Sequence, residues 1–175
     1  MVAALLLVLL ATQARAAADV RLELDPLPNV KAGKVAGTRA FIALSLDGTR
    51  LRVYLCDGTL KRKPTVAKWF RGRWDGHSPL TLEAGDLELH IDAVASDGAV
   101  TGRVVLPDGE HAFGARPRTH PAGLHHGKRK GLSATWIVLS RHSMRGTFVS
   151  PRPPKCRIVL VTSPSGQQQW VSLCN

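Results

Sequence analysis

The C-terminal part of this chain lacks acidic residues: no aspartate or glutamate follows Glu110 in a sequence of 175 residues. The same part carries ten lysines and arginines, whereas residues 19–110 hold 13 basic and 13 acidic side chains. The positive excess therefore belongs to the C-terminal part, where an anionic partner is favoured and a cation site is opposed. A catalytic carboxylate, in a triad or in a carboxylate pair, would have to come from the first 110 positions.

The common catalytic and ligand-binding motifs are also missing. The chain has no Gly-x-Ser-x-Gly elbow, P-loop, dinucleotide fingerprint, His-Glu-x-x-His pair or calcium loop. We therefore expect no cofactor and favour a protein that is not an enzyme. The alternative is a hydrolase of an unrecognised type that uses Cys56, or His142 with Ser140 or Ser143.

Cysteine is scarce, and its count of three is odd. Cys156 and Cys174 are placed symmetrically about Ser165, which predicts a terminal hairpin over residues 156–174 with these two cysteines opposite each other. A disulfide at that position fits an oxidising compartment and would stabilise the fold by about 3 kcal/mol. Cys56 is then unpaired, and we expect it to be a buried, unreactive thiol. A bridge from Cys56 to either C-terminal cysteine is the alternative.

Long apolar runs are confined to the N-terminus. Residues 2–11 are uninterrupted and apolar, and small-residue cleavage sites follow after Ala16 or Ala18, although no basic residue precedes the run. The run is too short to cross a bilayer as a helix, and no later stretch is long and apolar enough. We expect residues 1–18 to be a signal peptide of a secreted, periplasmic or cell-surface protein, rather than a buried N-terminal helix. Residues 19–37 would form an N-terminal segment or edge strand, and residues 38–175 a single domain.

Five Asp-Gly dipeptides, beginning at residues 47, 57, 75, 97 and 108, punctuate the first two thirds of the chain. Asp-Gly tolerates the positive φ angles of tight hairpin turns. Runs with period-two alternation lie between these turns, and no segment has a sustained helical period. The candidate strands are residues 40–46, 50–56, 80–83, 86–94, 100–106, 111–115, 135–140, 146–149, 157–162 and 168–173. Residues 66–74 fit either a strand or a short helix, and residues 116–130 are expected to be a loop.

Many short strands with regular turn signals predict an all-β fold. We expect an antiparallel meander that closes into a barrel, because closure removes exposed strand edges. A two-sheet β-sandwich is the alternative.

Three short segments are similar to a known type of domain. Residues 54–58 read Tyr-Leu-Cys-Asp-Gly, residues 69–72 read Trp-Phe-Arg-Gly and residues 136–139 read Trp-Ile-Val-Leu. In this order they resemble a group of small exported β domains of GC-rich bacteria. The resemblance covers about residues 40–148 and implies a small β domain, with no implication for activity.

Two basic stretches are candidate polyanion-binding surfaces. Residues 61–74 interleave six positive charges with Trp69, Phe70 and Trp74, a combination that can hold phosphate or sulfate and stack on rings. For this stretch we favour the other interpretation, that Trp69 and Trp74 are core and the charges are a solvated rim, because four tryptophans in a small β domain usually build its core. The candidate binding residues across both stretches are Lys61, Arg62, Lys63, Lys68, Arg71, Arg73, Arg116, Arg118, Lys128, Arg129 and Lys130.

The second stretch also contains His120, His125 and His126. Three histidines within seven residues are compatible with Zn²⁺ or Cu²⁺, but the surrounding positive charge opposes a metal ion and no nearby carboxylate or thiolate completes a set. We therefore expect a solvated basic loop and no metal. If it contacts a polyanion, it gains positive charge as the histidines are protonated below neutral pH.

The sequence thus favours an exported, basic, non-enzymatic β domain with an anionic partner. The candidate partners are an envelope phosphopolymer, acidic lipid headgroups, extracellular nucleic acid or an acidic protein surface. A barrel that holds a small apolar ligand is a further alternative beside the hydrolase.

Overall fold

The computed structural model describes residues 22–129 and 131–149, together with the backbone of two C-terminal strands. The strands are β1 (Asp25–Pro26), β2 (Val30–Val35), β3 (Phe41–Asp47), β4 (Arg50–Cys56), β5 (Ala67–Arg73), β6 (Leu80–Ala84), β7 (Leu87–Val94), β8 (Val100–Leu106), β9 (Gly109–Pro117), β10 (Gly123–Arg129), β11 (Leu132–Ser140), β12 (Ser143–Val149), β13 (Arg157–Thr162) and β14 (Gln168–Leu173). The described residues form strands, turns and loops, without an α-helix. The predicted all-β fold is confirmed.

Eight strands form one antiparallel sheet in the order β5-β4-β3-β2-β9-β8-β7-β6. Two four-stranded meanders, β2–β5 and β6–β9, are joined by the pairing of β2 with β9. At the other side of the sheet β5 meets β6 without a hydrogen-bonded ladder. Gly72 of β5 lies against the side chain of Leu82 on β6, and Lys68 is 3.5 Å from Asp86. The sheet is therefore nearly closed into a barrel, as the sequence predicted.

The barrel interior is filled by alternate residues of these strands. On β4, Leu51, Val53 and Leu55 are fully buried there, and Phe70 of β5 meets them from the neighbouring strand. Trp74 is also buried, and its indole N–H donates to the Ser78 carbonyl over 2.7 Å. Burial of these apolar side chains is the main stabilising contribution to the barrel.

A second antiparallel sheet, in the order β1-β10-β11-β12, covers one outer face of the barrel. The outward residues of β2, β3 and β4 are apolar where this sheet packs, among them Ala32, Phe41 and Tyr54. Leu124 of β10 and Ile137 of β11 meet them from the second sheet. Strands β2–β4 are thus buried on both faces, which accounts for the nearly continuous burial of residues 40–45 and 53–57.

The opposite face of the second sheet carries a smaller apolar cluster. Trp136 packs edge-on against Phe148 with 5.7 Å between ring centroids, and Leu22 lies beside them. The expectation that the tryptophans are core holds for Trp74 and Trp136, whereas Trp69 is half-buried between the barrel and the second sheet.

Two sequence-based predictions about loops were wrong. Val30–Val35 is a central strand of the barrel between β3 and β9, although residues 19–37 were predicted to be a segment outside the domain or an edge strand. Within the predicted loop 116–130, residues Gly123–Arg129 form β10. In both cases glycine, lysine or histidine occupies strand positions, so the alternation of apolar residues that indicates a strand is absent.

Three of the five Asp-Gly dipeptides, at residues 47, 97 and 108, lie in the predicted hairpin turns, whereas Asp75-Gly76 lies in the connection from β5 to β6, which do not pair. Gly48, Gly76, Gly98 and Gly109 have positive φ angles at or next to turns between strands. Asp57-Gly58 instead begins a ten-residue connection from β4 to β5 and forms no tight hairpin.

The ambiguous residues 66–74 form strand β5. The C-terminal hairpin is present as β13 paired with β14, in a register symmetric about position 165 as predicted. Cys156 and Cys174 lie outside the described residues, so their disulfide stays a prediction. Over the described part of the chain, no helix is long and apolar enough to span a membrane.

Candidate functional site

Four arginines stand together on the outer face of β4 and β5. Because Leu51, Val53 and Phe70 point into the barrel, the alternate residues of both strands point outward. The ladder pairs Arg50 with Arg73 and Arg52 with Arg71, and we call these four residues the four-arginine cluster. Side chains directly opposite in such a ladder have Cβ atoms about 5 Å apart, so like charges there repel each other.

The cluster forms no ion pair with a carboxylate of the described residues. Nor does Lys128 on β10 pair with any of these carboxylates. Asp47 lies opposite Arg50 on β3 but makes no ion pair with it. Most of the acids that do form ion pairs lie on β7 and β9 or in the adjoining turns, on the other half of the barrel. With one carboxylate opposite four guanidinium groups, the cluster carries an excess of positive charge.

The second sheet brings an aromatic and a histidine to the same place. Trp69 precedes Arg71 on the outer face of β5 and packs on Tyr54, with 4.8 Å between ring centroids. The ring of His126, on β10, meets Trp69 edge-on at 6.1 Å, and its Nδ1 is 2.9 Å from the Thr135 hydroxyl. The cluster thus lies beside the junction of the barrel with the second sheet. Arg52 and Arg71 form its inner end, next to the ring of Trp69, and Arg50 and Arg73 form its outer end.

The charges of the site act on His126. Burial lowers the pKa of His126, a hydrogen bond with the Ala134 backbone raises it, and the positive charges of Arg52, Lys128 and Arg71 lower it again. The net direction is downward, so His126 is mostly neutral at neutral pH. Trp69, which the imidazole contacts, lies two residues before Arg71 on the outer face of β5, and Arg71 is paired with Arg52, so both arginines lie near His126.

Arg52 has unused hydrogen-bonding capacity. Its side chain is half-buried, and its Nε atom is buried with no hydrogen-bond partner. A buried polar group without a partner is unusual in a folded protein and calls for an explanation such as an unseen ligand oxygen or water. The Arg52 guanidinium therefore lies at the junction of the two sheets with its Nε–H still available to donate a hydrogen bond.

The structure does not bring all the predicted basic residues together. Arg71, Arg73 and Lys128 join the site, whereas Lys68 lies at the seam of the barrel and pairs with Asp86. Arg118 donates from Nε and Nη2 to the Ala32 carbonyl, over 3.2 and 3.1 Å, and so serves the fold. Arg116 and Arg129 are exposed on β9 and β10, and Lys130 lies outside the described residues.

The remaining predicted residues, Lys61, Arg62 and Lys63, lie in the connection between β4 and β5. Lys61 and Lys63 are exposed, whereas Arg62 donates to the Asp57 backbone carbonyl and lies 3.7 Å from its carboxylate. The Asp57 carboxylate in turn accepts hydrogen bonds from Thr65 N–H at 2.8 Å and from the Thr65 hydroxyl at 2.7 Å. Arg62 therefore serves the connection rather than a ligand.

We expect Asp57→Asn to destabilise the protein by about 1–3 kcal/mol, because the amide has no negative charge for these hydrogen bonds and for Arg62, and it replaces the oxygen that accepts from the Thr65 hydroxyl with an NH2 group. Burial alone would raise the pKa of Asp57, but hydrogen bonds from Thr65 and Val66 and the charge of Arg62 lower it overall. The stability that Asp57 contributes is therefore present above its unfolded pKa, about 3.9, and is lost as pH falls through the lower folded value.

Thermal unfolding of wild type and Asp57→Asn at pH 7 and near pH 2 tests this expectation. The gap between the two proteins should narrow at the lower pH. The control is Asp97→Asn, which removes a carboxylate that accepts one exposed hydrogen bond, from Ala99. Equal melting temperatures of the two variants at pH 7 would contradict the assigned role of Asp57.

The histidines do not form a metal centre in the described part of the chain. His125 is buried on the side of the second sheet away from His126, and its Nε2 lies 3.1 Å from the Pro121 carbonyl. Burial lowers the pKa of His125. The exposed His120 packs edge-on against His125, with 6.0 Å between ring centroids.

The candidate nucleophiles lack activation. Cys56 is free and fully buried, and burial raises the pKa of its thiol, which opposes formation of the reactive thiolate. His142 is exposed in the two-residue turn between Ser140 and Ser143, and among the described residues no hydrogen bond joins it to either serine. Both arrangements match ordinary structural roles.

Sequence reasoning missed Arg50, Arg52 and the position of His126 beside them. The period-two pattern of residues 50–56 already places Arg50 and Arg52 on one face, but their pairing with Arg71 and Arg73 depends on register. Comparisons with protein-family models, with curated proteins and with solved structures gave no match for this chain.

Proposed function

We propose that this protein is an exported, non-enzymatic β domain that binds a linear phosphate-bearing polymer through the four-arginine cluster. One observation carries the proposal: four guanidinium groups stand in two directly opposed pairs, and none of them forms an ion pair with a described carboxylate. Guanidinium groups bind phosphate oxygens through paired N–H donors, and a polyanion laid over the cluster offsets the repulsion within it. Export is supported by the signal-like sequence of residues 1–18.

The dimensions of the cluster favour a polymer over one small anion. Residues two apart on a strand are about 6.6 Å apart, and opposed residues about 5 Å, so the four charges cover a patch rather than a point. Lys128 adds a fifth charge from the second sheet. A chain with repeated negative charges engages several of these groups at once, and each contact raises the effective concentration of the next.

Other partners fit the described surface less well. Among the described residues, Val149 at 56 % is the one large apolar side chain that is exposed, and it lies on β12, so beside the cluster the half-buried Trp69 ring is the main apolar surface and is small for insertion into a membrane. The interior of the barrel is occupied by side chains, including Phe70, Trp74 and Phe113, rather than shaped around a guest.

The test is binding of fluorescently labelled polyphosphate, followed by anisotropy between about 50 and 300 mM salt. Five phosphate contacts predict that the logarithm of the association constant falls against the logarithm of salt with a slope of about −4, at 0.7–0.9 per contact. No binding at about 50 mM salt, or a slope shallower than about −1, would refute the proposal. Heparin tests whether sulfate substitutes for phosphate. Phosphatidylglycerol vesicles test a membrane surface, and binding to vesicles without polyphosphate would overturn the assignment to a polymer.

A further inference from the structure

The inner end of the four-arginine cluster differs from its outer end. Arg50 and Arg73 are exposed, and Arg73 donates to the Thr49 hydroxyl over 3.3 Å. Arg52, by contrast, is half-buried with its Nε unpartnered, and its exposed partner Arg71 lies two residues from Trp69, which contacts His126. Arg52 is therefore the most desolvated member of the cluster, and a charge-assisted hydrogen bond to it is stronger than one to the exposed outer pair.

His126 faces this inner pair from the second sheet. Its ring is fixed from two sides, by the edge-on contact with Trp69 and by the 2.9 Å contact of Nδ1 with the Thr135 hydroxyl. One oxyanion in front of the inner pair therefore lies within the electrostatic reach of the imidazole. A protonated imidazole adds a charged donor, whereas a neutral one does not.

We propose that a single oxyanion group of the polymer, a phosphate or a sulfate, binds at Arg52 and Arg71 and that its binding is coupled to uptake of one proton by His126. This inference rests on the proposed function and adds to it a defined subsite and a linked proton. The proton comes from solvent and is held on the imidazole, and no covalent bond forms or breaks.

The coupling follows from the charges around the imidazole. In the free protein the positive neighbours and burial oppose protonation of His126. An anion placed among those neighbours cancels part of their field, so the pKa of His126 rises in the complex. By linkage, protonation of His126 strengthens anion binding to the same extent, and affinity increases as pH falls.

The other charged groups near His126 do not remove this coupling. Those on the elements packed around it are Arg52 on β4, Arg71 on β5, Lys128 on β10, Asp25 on β1 and Glu23 just before β1. Asp25 has its Cα opposite that of His126, but both acids are exposed, and neither forms an ion pair with a described cation. Facing His126 from β11, Thr135 contributes a neutral hydroxyl.

Polyphosphate and inorganic sulfate are suitable probes, because neither the internal groups of polyphosphate nor sulfate changes charge between pH 5.5 and 7.5. We expect the affinity of the wild-type protein for both probes to increase as pH falls, by at most about tenfold per pH unit for one linked proton. Calorimetry in two buffers of different ionisation enthalpy should show net proton uptake on binding.

Between pH 7.5 and 5.5, the fold-increase in polyphosphate affinity should be at least threefold smaller for His126→Gln than for wild type. His142→Gln, which changes a histidine in an exposed turn, should show the same increase as wild type. Circular dichroism establishes that both variants are folded. If His126→Gln does not fold, NMR titration of the His126 ring in wild-type protein replaces it, with tighter proton binding expected when polyphosphate is present. Polyphosphate binding without proton uptake overturns this inference and leaves the proposed function intact. Absence of polyphosphate binding overturns both.

Discussion

Replacing both Arg52 and Arg71 with glutamine is expected to weaken polyphosphate binding by about 100-fold. Each hydrogen bond to a charged group contributes about 1.5–3 kcal/mol, and a loss of about 3 kcal/mol in total corresponds to two powers of ten in the dissociation constant. The salt dependence should become shallower by about 2, because two phosphate contacts are lost. Anisotropy titrations at several salt concentrations measure both quantities.

The control removes the same charge from another part of the molecule. Arg103 lies on β8, where it is 3.9 Å from Asp92 and 3.7 Å from Glu110, and Arg141 is exposed in the turn before β12. Arg103→Gln with Arg141→Gln should leave polyphosphate binding within about threefold of wild type. Equal losses in the two double variants would show that net charge, rather than the four-arginine cluster, determines binding.

The same substitution should have an opposite effect on stability. Like charges directly opposite in an antiparallel ladder are destabilising, by about 0.2–1 kcal/mol per pair. Arg52→Gln with Arg71→Gln removes one such pair, so its melting temperature at low salt should exceed that of wild type, and the difference should shrink as salt screens the repulsion. A cluster whose internal repulsion lowers the stability of the free protein, and is reduced when a polyanion binds, fits a binding role better than a structural one.

Gly33→Ala is expected to destabilise the protein by about 3 kcal/mol or more. A Cβ at this position would overlap the carbonyl oxygen of Gly114 and would lie 2.8 Å from its carbonyl carbon and 3.2 Å from the Ala115 Cα. These are backbone atoms, so the strands β2 and β9 would have to separate, and their pairing is what joins the two meanders. Such overpacking costs about 1–3 kcal/mol or more, a large share of a typical total stability of about 5–15 kcal/mol.

The matched control lies in the facing strand. A Cβ on Gly114 would meet nothing within 4 Å, so Gly114→Ala should be tolerated and should even stabilise slightly, since glycine weakens a strand interior. Urea unfolding of the two variants gives the comparison directly. Similar stabilities for Gly33→Ala and Gly114→Ala would contradict the close β2–β9 contact and, with it, the closure of the barrel on that side.

Most strands could be predicted because their local pattern matches their environment. Residues 50–56, 100–106, 157–162 and 168–173 were predicted with the bounds observed, and the other candidate strands overlap those that the structure contains. These strands show period-two alternation or a run of β-branched residues between turn signals. Three of the five Asp-Gly dipeptides also lie in the hairpin turns that their chemistry favours.

The missed strands show where local pattern is insufficient. In β10, Leu124 is the one aliphatic residue, whereas His125 is covered by the chain around Pro121 and His120, and Gly127 lies against Glu23 and Leu24. In β2, Gly33 is required by contact with Gly114, a residue 81 positions away in the chain. Neither environment is visible in a window of neighbouring residues.

The amino-acid sequence was sufficient for the fold class, for the turns and for the excess of positive charge, because each depends on residues close together in the chain. Which of those charges act together was settled by long-range packing. Arg52 meets Arg71 through the register of β4 and β5, and His126 reaches them because the second sheet packs on the barrel. Register and packing follow from burial of apolar faces distant in sequence, and a one-residue slip in register would turn half of these side chains inward.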